Sequence, residues 1–187
     1  MNYHLLAHNI LFLTGGIINI ILAFAVLFLK RKKIDSLVVT FILMTLSVSV
    51  FQISQVLGVM APTADLSRKI FMLNLCVIPI QIFMAHWFFA LTGRIHQQRY
   101  ALIAIYASGI ALFAIHTFFP YTYLLDSVPK MYFPFYYVPG NLQWLTRTWF
   151  HLVAAYYLLD LFIAYRKTLD PIVKNRYLFV LLAVIYG

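Results

Sequence analysis

Asp160 lies inside the apolar run WFHLVAAYYLLDLFIAYRK, nine residues after His151. A carboxylate at the centre of a lipid-embedded helix costs about 2.5–3.5 kcal/mol, so its presence calls for a partner or a task. A His and an Asp together suggest acid–base chemistry, but the spacing forbids a dyad. Nine residues of helix separate them by about 13–14 Å and place them on opposite faces. His151 shares a face with Arg147, Ala155 and Leu158, whereas Asp160 shares one with Trp149, Val153 and Tyr156. Three readings of Asp160 stay open: a carboxyl kept neutral by burial, an acceptor for a Tyr or amide on another helix, or the partner of a basic residue in an inner loop.

Other polar residues fall within apolar stretches. Thr45, Ser49, Gln52 and Gln55 step by four, three and three, which predicts one polar stripe on a helix. Asn74 and Gln81 share a face across Pro79, which should bend its helix. His86 lies deeper in the same stretch, and His116 near the end of the next. Singly, such residues are interhelical hydrogen-bond partners worth about 0.6 kcal/mol each. Together, Gln52, Gln55, Asn74, His116 and His151 sit at similar depths on four spans and form a candidate ligand pocket, and Trp149 joins them as a candidate ligand residue.

Catalytic patterns are absent. The chain has five Asp and no Glu, which weakens any paired-carboxylate mechanism. Cys76 is its sole cysteine. HLLAH (His4, His8) has the i, i+4 spacing of a helical metal pair but lacks the Glu of a zinc-protease motif and a third ligand. There is no phosphate-binding Gly loop or nucleophile elbow, and the complete spans hold no buried Lys for a retinal Schiff base. No catalytic, metal or cofactor site is expected.

These residues must be positioned by membrane helices. Of 187 residues, 64% are hydrophobic and 10% charged, and mean hydropathy is +0.89. No water-soluble domain of this size hides so much apolar surface. Crossing a hydrocarbon core of about 30 Å takes about 20 apolar helical residues. Five stretches suffice, at 10–29, 37–60, 70–92, 100–119 and 148–165, and a sixth begins at 177. Eleven residues cannot complete that crossing, so the chain is expected to be cut inside its sixth span. The net charge of +9 reflects topology rather than nucleic acid. One set of loops carries ten basic residues (Lys30, Arg31, Lys32, Lys33, Arg94, Arg99, Arg166, Lys167, Lys174, Arg176) and the other four (Arg68, Lys69, Lys130, Arg147). The positive-inside rule puts the first set in the cytoplasm and the N-terminus outside. MNYHLLAH lacks a basic n-region, so the first span reads as an anchor rather than a cleaved signal.

The longest connection, 120–147, is then external. Pro120, Pro129, Pro134, Pro139 and Gly140 argue against one long helix there. Its many Tyr and Phe suit an interfacial aromatic belt; the alternative is a cap over a ligand pocket.

The stretch KIFMLNLCVIPIQIFMAHWFFALTGR resembles the third span of the seven-helix N-terminal sensor region of bacterial histidine kinases. There, an aromatic lead-in runs through small and proline positions to a Leu/Thr-Gly-Arg end. WFHLVAAYYLLDLFIAYRK is similar to that family's aromatic-aromatic-x-His-x-Ala-Tyr-type start, PGN fits the loop before it, and KNRYLFVLLAVIYG looks like the basic approach to its sixth span. The resemblance covers nearly the whole chain and touches Pro79, Gly93, Arg94, Trp149, His151 and Tyr156. It departs at Asp160, where an apolar residue is expected.

The resemblance implies an all-α bundle of seven spans, N-terminus outside, in the bacterial inner membrane. A cytoplasmic histidine kinase, diguanylate cyclase or other signalling module would follow it. The expected role is a sensor within a two-component or related system. Its partners would be the bilayer, an unidentified small or lipophilic ligand and, through the output module, a second copy. Nucleic acid is not an expected partner. Gln52, Gln55, Asn74, His116, Trp149 and His151 are the candidate ligand residues; Pro79, Tyr156 and Asp160 are structural or signalling candidates. A transporter or channel subunit with a polar path between helices is the main rival. A lipid-modifying membrane enzyme using His86, His151 and Asp160 is a third possibility, disfavoured by the lack of Glu and the opposed faces of His151 and Asp160.

Overall fold

The computed structural model describes residues 3–186 and consists of helices joined by short turns, with a single two-stranded hairpin. The helices are α1 (Tyr3–Lys30), α2 (Ser36–Val59), α3 (Ala64–Phe71), α4 (Val77–Leu91), α5 (Arg99–Phe118), α6 (Gln143–Lys167) and α7 (Pro171–Tyr186). A 3-10 stretch, Met72–Cys76, joins α3 to α4, so the two form one span. Five helical segments among the described residues are long and apolar enough to cross a membrane. This chain is a multi-pass membrane protein by that measure.

Local chemistry places the breaks. Asp35 caps α2 by accepting from the Val38 amide at 3.0 Å, and Thr63 caps α3 by accepting from that of Leu66 at 3.3 Å. Asp170 accepts from the Ile172 amide at 2.8 Å just before Pro171 opens α7. Pro79 lacks the N–H that an unbroken α-helix would donate to Leu75, and the backbone preceding α4 tightens to 3-10 geometry.

Hydropathy locates the bilayer-thick part of each helix but misses its ends. α1 begins at Tyr3 rather than 10, the third span at Ala64 rather than 70, and α6 at Gln143 rather than 148. The extra turns are polar or amphipathic, so a window that counts only apolar residues stops short of them.

α2 and α4 pack together at the centre; α1 lies along α2, α5 and α6 along α4, and α7 along α6. Phe88 of α4 stacks on Tyr157 of α6 with centroids 4.6 Å apart, within a core containing Ile78, Ala85, Leu112 and Leu161. Large apolar side chains such as Leu11, Phe24, Phe28 and Ile103 point outward, as lipid requires and water would not.

The all-α expectation needs one correction. Strands β1 (Leu124–Lys130) and β2 (Phe133–Pro139) form an antiparallel hairpin in the 120–147 connection. Three prolines within or ending strands look hostile to pairing. A two-stranded ribbon consists only of edges, however, and its register shifts between Val128 and Lys130, beside Pro129. Gly140 closes the hairpin: a Cβ there would lie 2.4 Å from the Tyr121 carbonyl oxygen. The hairpin sits at the end opposite the ten-cation loops, with His4 stacked on Tyr132 and His8 edge-on to Phe133. The HLLAH pair thus packs against the hairpin, and among the described residues no three potential metal-ligating side chains converge.

Candidate ligand site

A cavity of about 220 Å³ lies at the hairpin end, walled by Phe51 of α2, Val77 of α4, Tyr123 and Tyr137 at the hairpin, and one face of α6. That face presents Gln143, Thr146, Arg147, Phe150 and His151. Gln143, Arg147 and His151 follow one another at helical spacing of four, so α6 points an amide, a guanidinium and an imidazole to the same side. His151 is exposed, and its Nδ1 donates to the Arg147 carbonyl at 2.6 Å. The ring therefore turns Nε2 away from its own helix.

Of the six candidate ligand residues, only His151 lines this space. Three others brace its wall from behind. Asn74 accepts from Gln55 Nε2 at 2.9 Å and from Ser54 Oγ at 2.7 Å, and its backbone carbonyl accepts from the Tyr123 hydroxyl at 3.2 Å. Tyr123 is thereby fixed as a wall, and burial, reinforced by Tyr137, pushes its phenol well above the usual range, so it stays protonated. His116 is fully buried, with Thr122 Oγ1 at 2.8 Å on one ring nitrogen and Thr146 Oγ1 at 2.7 Å on the other. This bond holds Thr146 and ties α5 to α6.

The remaining two lie apart. Gln52 Oε1 accepts from Asn19 Nδ2 at 3.0 Å, joining α2 to α1, so the polar stripe splits between two neighbours. Trp149 Nε1 donates to Ser108 Oγ at 2.9 Å on α5. The expected single cluster is thus four separate hydrogen-bonded groups, around Asn74, His116, Gln52 and Trp149, plus the cavity that His151 lines. Helix periodicity gives the face of each residue but not which neighbour occupies it.

Gln143, Thr146, Tyr123 and Tyr137 were not singled out by the sequence. Gln143 and Thr146 fell outside the apolar window at 148–165, and the two tyrosines lay in what reads as a loop. Ser67 was also missed: its hydroxyl lies 2.7 Å from Ser127 Oγ and donates to the Gly58 carbonyl at 2.7 Å, pinning the hairpin to α3 and α2.

Asp160 belongs to a different site, at the basic end. Its Oδ1 is 2.6 Å from Arg94 and accepts from Gln98 Nε2 at 2.6 Å, while Tyr156 donates to Gln98 Oε1 at 2.6 Å. Two of the three readings of Asp160 hold together, since it takes both an amide and a cation of a basic loop. Gly93 makes this possible. At φ 68 it ends α4 with the Gly93 amide bonded to the Ala90 carbonyl and the Arg94 amide to that of Phe89. This Schellman closure turns Arg94 back toward α6.

His86 links three helices from another position, 2.9 Å from Ser36 Oγ and 2.9 Å from the Tyr106 hydroxyl. His86, His151 and Asp160 therefore have separate partners. Pro79 lines two apolar grooves, both also lined by Phe113, between the third span and α5.

No protein-family description, curated protein or solved structure matches the chain.

Proposed function

We propose that this chain is the membrane-embedded, ligand-receiving region of a bacterial signal-transduction protein of the sensor histidine kinase type. It would lie in the inner membrane, with the hairpin outside and the basic loops in the cytoplasm. The observation that carries this reading is the hairpin-end cavity, whose polar wall is held in place by side chains from α2, the 3-10 stretch, α5 and α6. The resemblance of the third and fifth spans to such sensors supports it. The rival transport reading needs a continuous polar path, and the membrane-depth amides and hydroxyls are instead bonded in separate groups.

α6 is the natural messenger. Its hairpin end supplies Gln143, Arg147 and His151 to the cavity, and its other end holds Asp160 against the Arg94–Gln98 loop. An occupant that draws α6 toward Phe51 and Tyr137 moves the Asp160 end with it, because a packed helix shifts as a unit. The shift can be no larger than the occupant's difference in affinity between the two arrangements. Sequencing the reading frame past Gly187 tests the proposal. A seventh span followed by a kinase or nucleotide-cyclase module is expected. Further spans arranged as an inverted repeat, with no cytoplasmic output module, would overturn it.

A further inference from the structure

The cavity's donors and acceptors specify a ligand class. Arg147 is exposed, can only donate, and has no acid within ion-pair distance among the described residues. No acidic side chain lines the space. Gln143 lines the space but its Oε1 is closed off and has no hydrogen-bond partner; a turn of the amide toward the space would offer that acceptor to a donor on an occupant. His151 leaves Nε2 free, because Nδ1 is committed to the Arg147 carbonyl. Thr146 and Tyr123 are already bonded to His116 and Asn74. Phe51, Val77 and Phe150 complete the lining with apolar surface. At about 220 Å³ the space is below the roughly 300–1,000 Å³ of pockets for drug-sized ligands.

We propose that the cavity takes a small organic acid: a carboxylate for Arg147, a neighbouring hydroxyl or N–H donor for Gln143 Oε1, and a compact apolar body between Phe51 and Phe150. A cation would meet the guanidinium with nothing to neutralise it. A purely apolar occupant would leave the Gln143 oxygen bare. This inference rests on the cavity being a receiving site.

Equilibrium dialysis of the full chain in detergent against three radiolabelled probes tests it. Mandelate has the carboxylate, the adjacent hydroxyl and an apolar ring; phenylacetate lacks the hydroxyl, and mandelamide lacks the charge. Mandelate should bind saturably, one per chain, at least tenfold tighter than either of the others. Arg147→Gln should weaken mandelate at least tenfold and leave mandelamide unchanged. Gln143→Met should erase the preference for mandelate over phenylacetate. Circular dichroism checks that each variant keeps its helices.

Mandelamide binding as well as mandelate, unaffected by Arg147→Gln, would overturn the acid class while leaving a receiving cavity. Failure of all three probes to bind would overturn the inference as well. The receiving reading fails separately if filling the cavity with Thr146→Trp leaves the output of the folded full-length protein unaltered.

Discussion

At the scale of single residues, the most informative pair is Asp160 and Arg94. The acid is 5% exposed and its second oxygen has no hydrogen-bond partner, whereas the Arg94 side chain is 23% exposed at a loop. The two halves of the pair are therefore not equivalent. Arg94→Met strands a buried carboxylate with one amide for company and should destabilise the protein by about 3–5 kcal/mol. Asp160→Asn leaves a guanidinium free to turn toward the loop's water, and should lose about 1.5–3 kcal/mol of charged hydrogen bonding. Unfolding midpoints in detergent measure both, and a larger loss for Asp160→Asn would contradict this assignment. The sequence marked Asp160 as a residue in need of a partner because a lone acid in an apolar helix is rare. It could not choose Arg94 over other basic loop residues, since that choice depends on how Gly93 turns the chain.

At the scale of elements, the hairpin is what a helix-based reading loses. Helical periods and hydropathy carry over tens of residues, while β1 and β2 are seven residues each and interrupted by prolines. The aromatic content of 120–147 fits both a belt and a cap, and the hairpin does wall the cavity through Tyr123 and Tyr137. Its closure depends on Gly140, where a methyl group would collide with backbone rather than with a side chain able to move aside. Gly140→Ala should cost about 1–3 kcal/mol or more by overpacking and leave the 120–142 segment open to limited proteolysis. Unchanged protease resistance would show that the hairpin is not held as described. The stripe Gln143–Arg147–His151 was legible in principle at its helical spacing. Its Arg147–His151 part is read from that spacing, whereas Gln143 is lost because a window set by bilayer thickness begins the helix at 148, a turn after Gln143.

At the scale of the whole molecule, composition pointed to lipid and the length of the apolar runs to helices, because a closed barrel, the other arrangement that satisfies backbone polar groups in lipid, would show alternating strands of about 10 residues instead. Spans and loops followed from hydropathy, and the uneven distribution of cations follows the same order of turns. What composition could not supply is the packing: α2 and α4 as the central pair, α1 at the edge, and polar side chains closed off in separate groups. Interior polar contacts in a bundle depend on which small and large residues meet across a crossing, and a single chain's pattern does not encode that order in any simple way.

The proposed sensor needs the cavity to open to the exterior and the Asp160–Arg94 end to face the cytoplasm. It is tested most directly by sidedness. In a Cys76→Ser background, a single cysteine is placed at the hairpin tip (Met131→Cys) or in the basic loop (Gln97→Cys), and intact cells are treated with a membrane-impermeant maleimide. Met131→Cys should be labelled in intact cells and Gln97→Cys only after the membrane is opened. Labelling of Gln97→Cys in intact cells, with Met131→Cys protected until lysis, would contradict the proposed orientation.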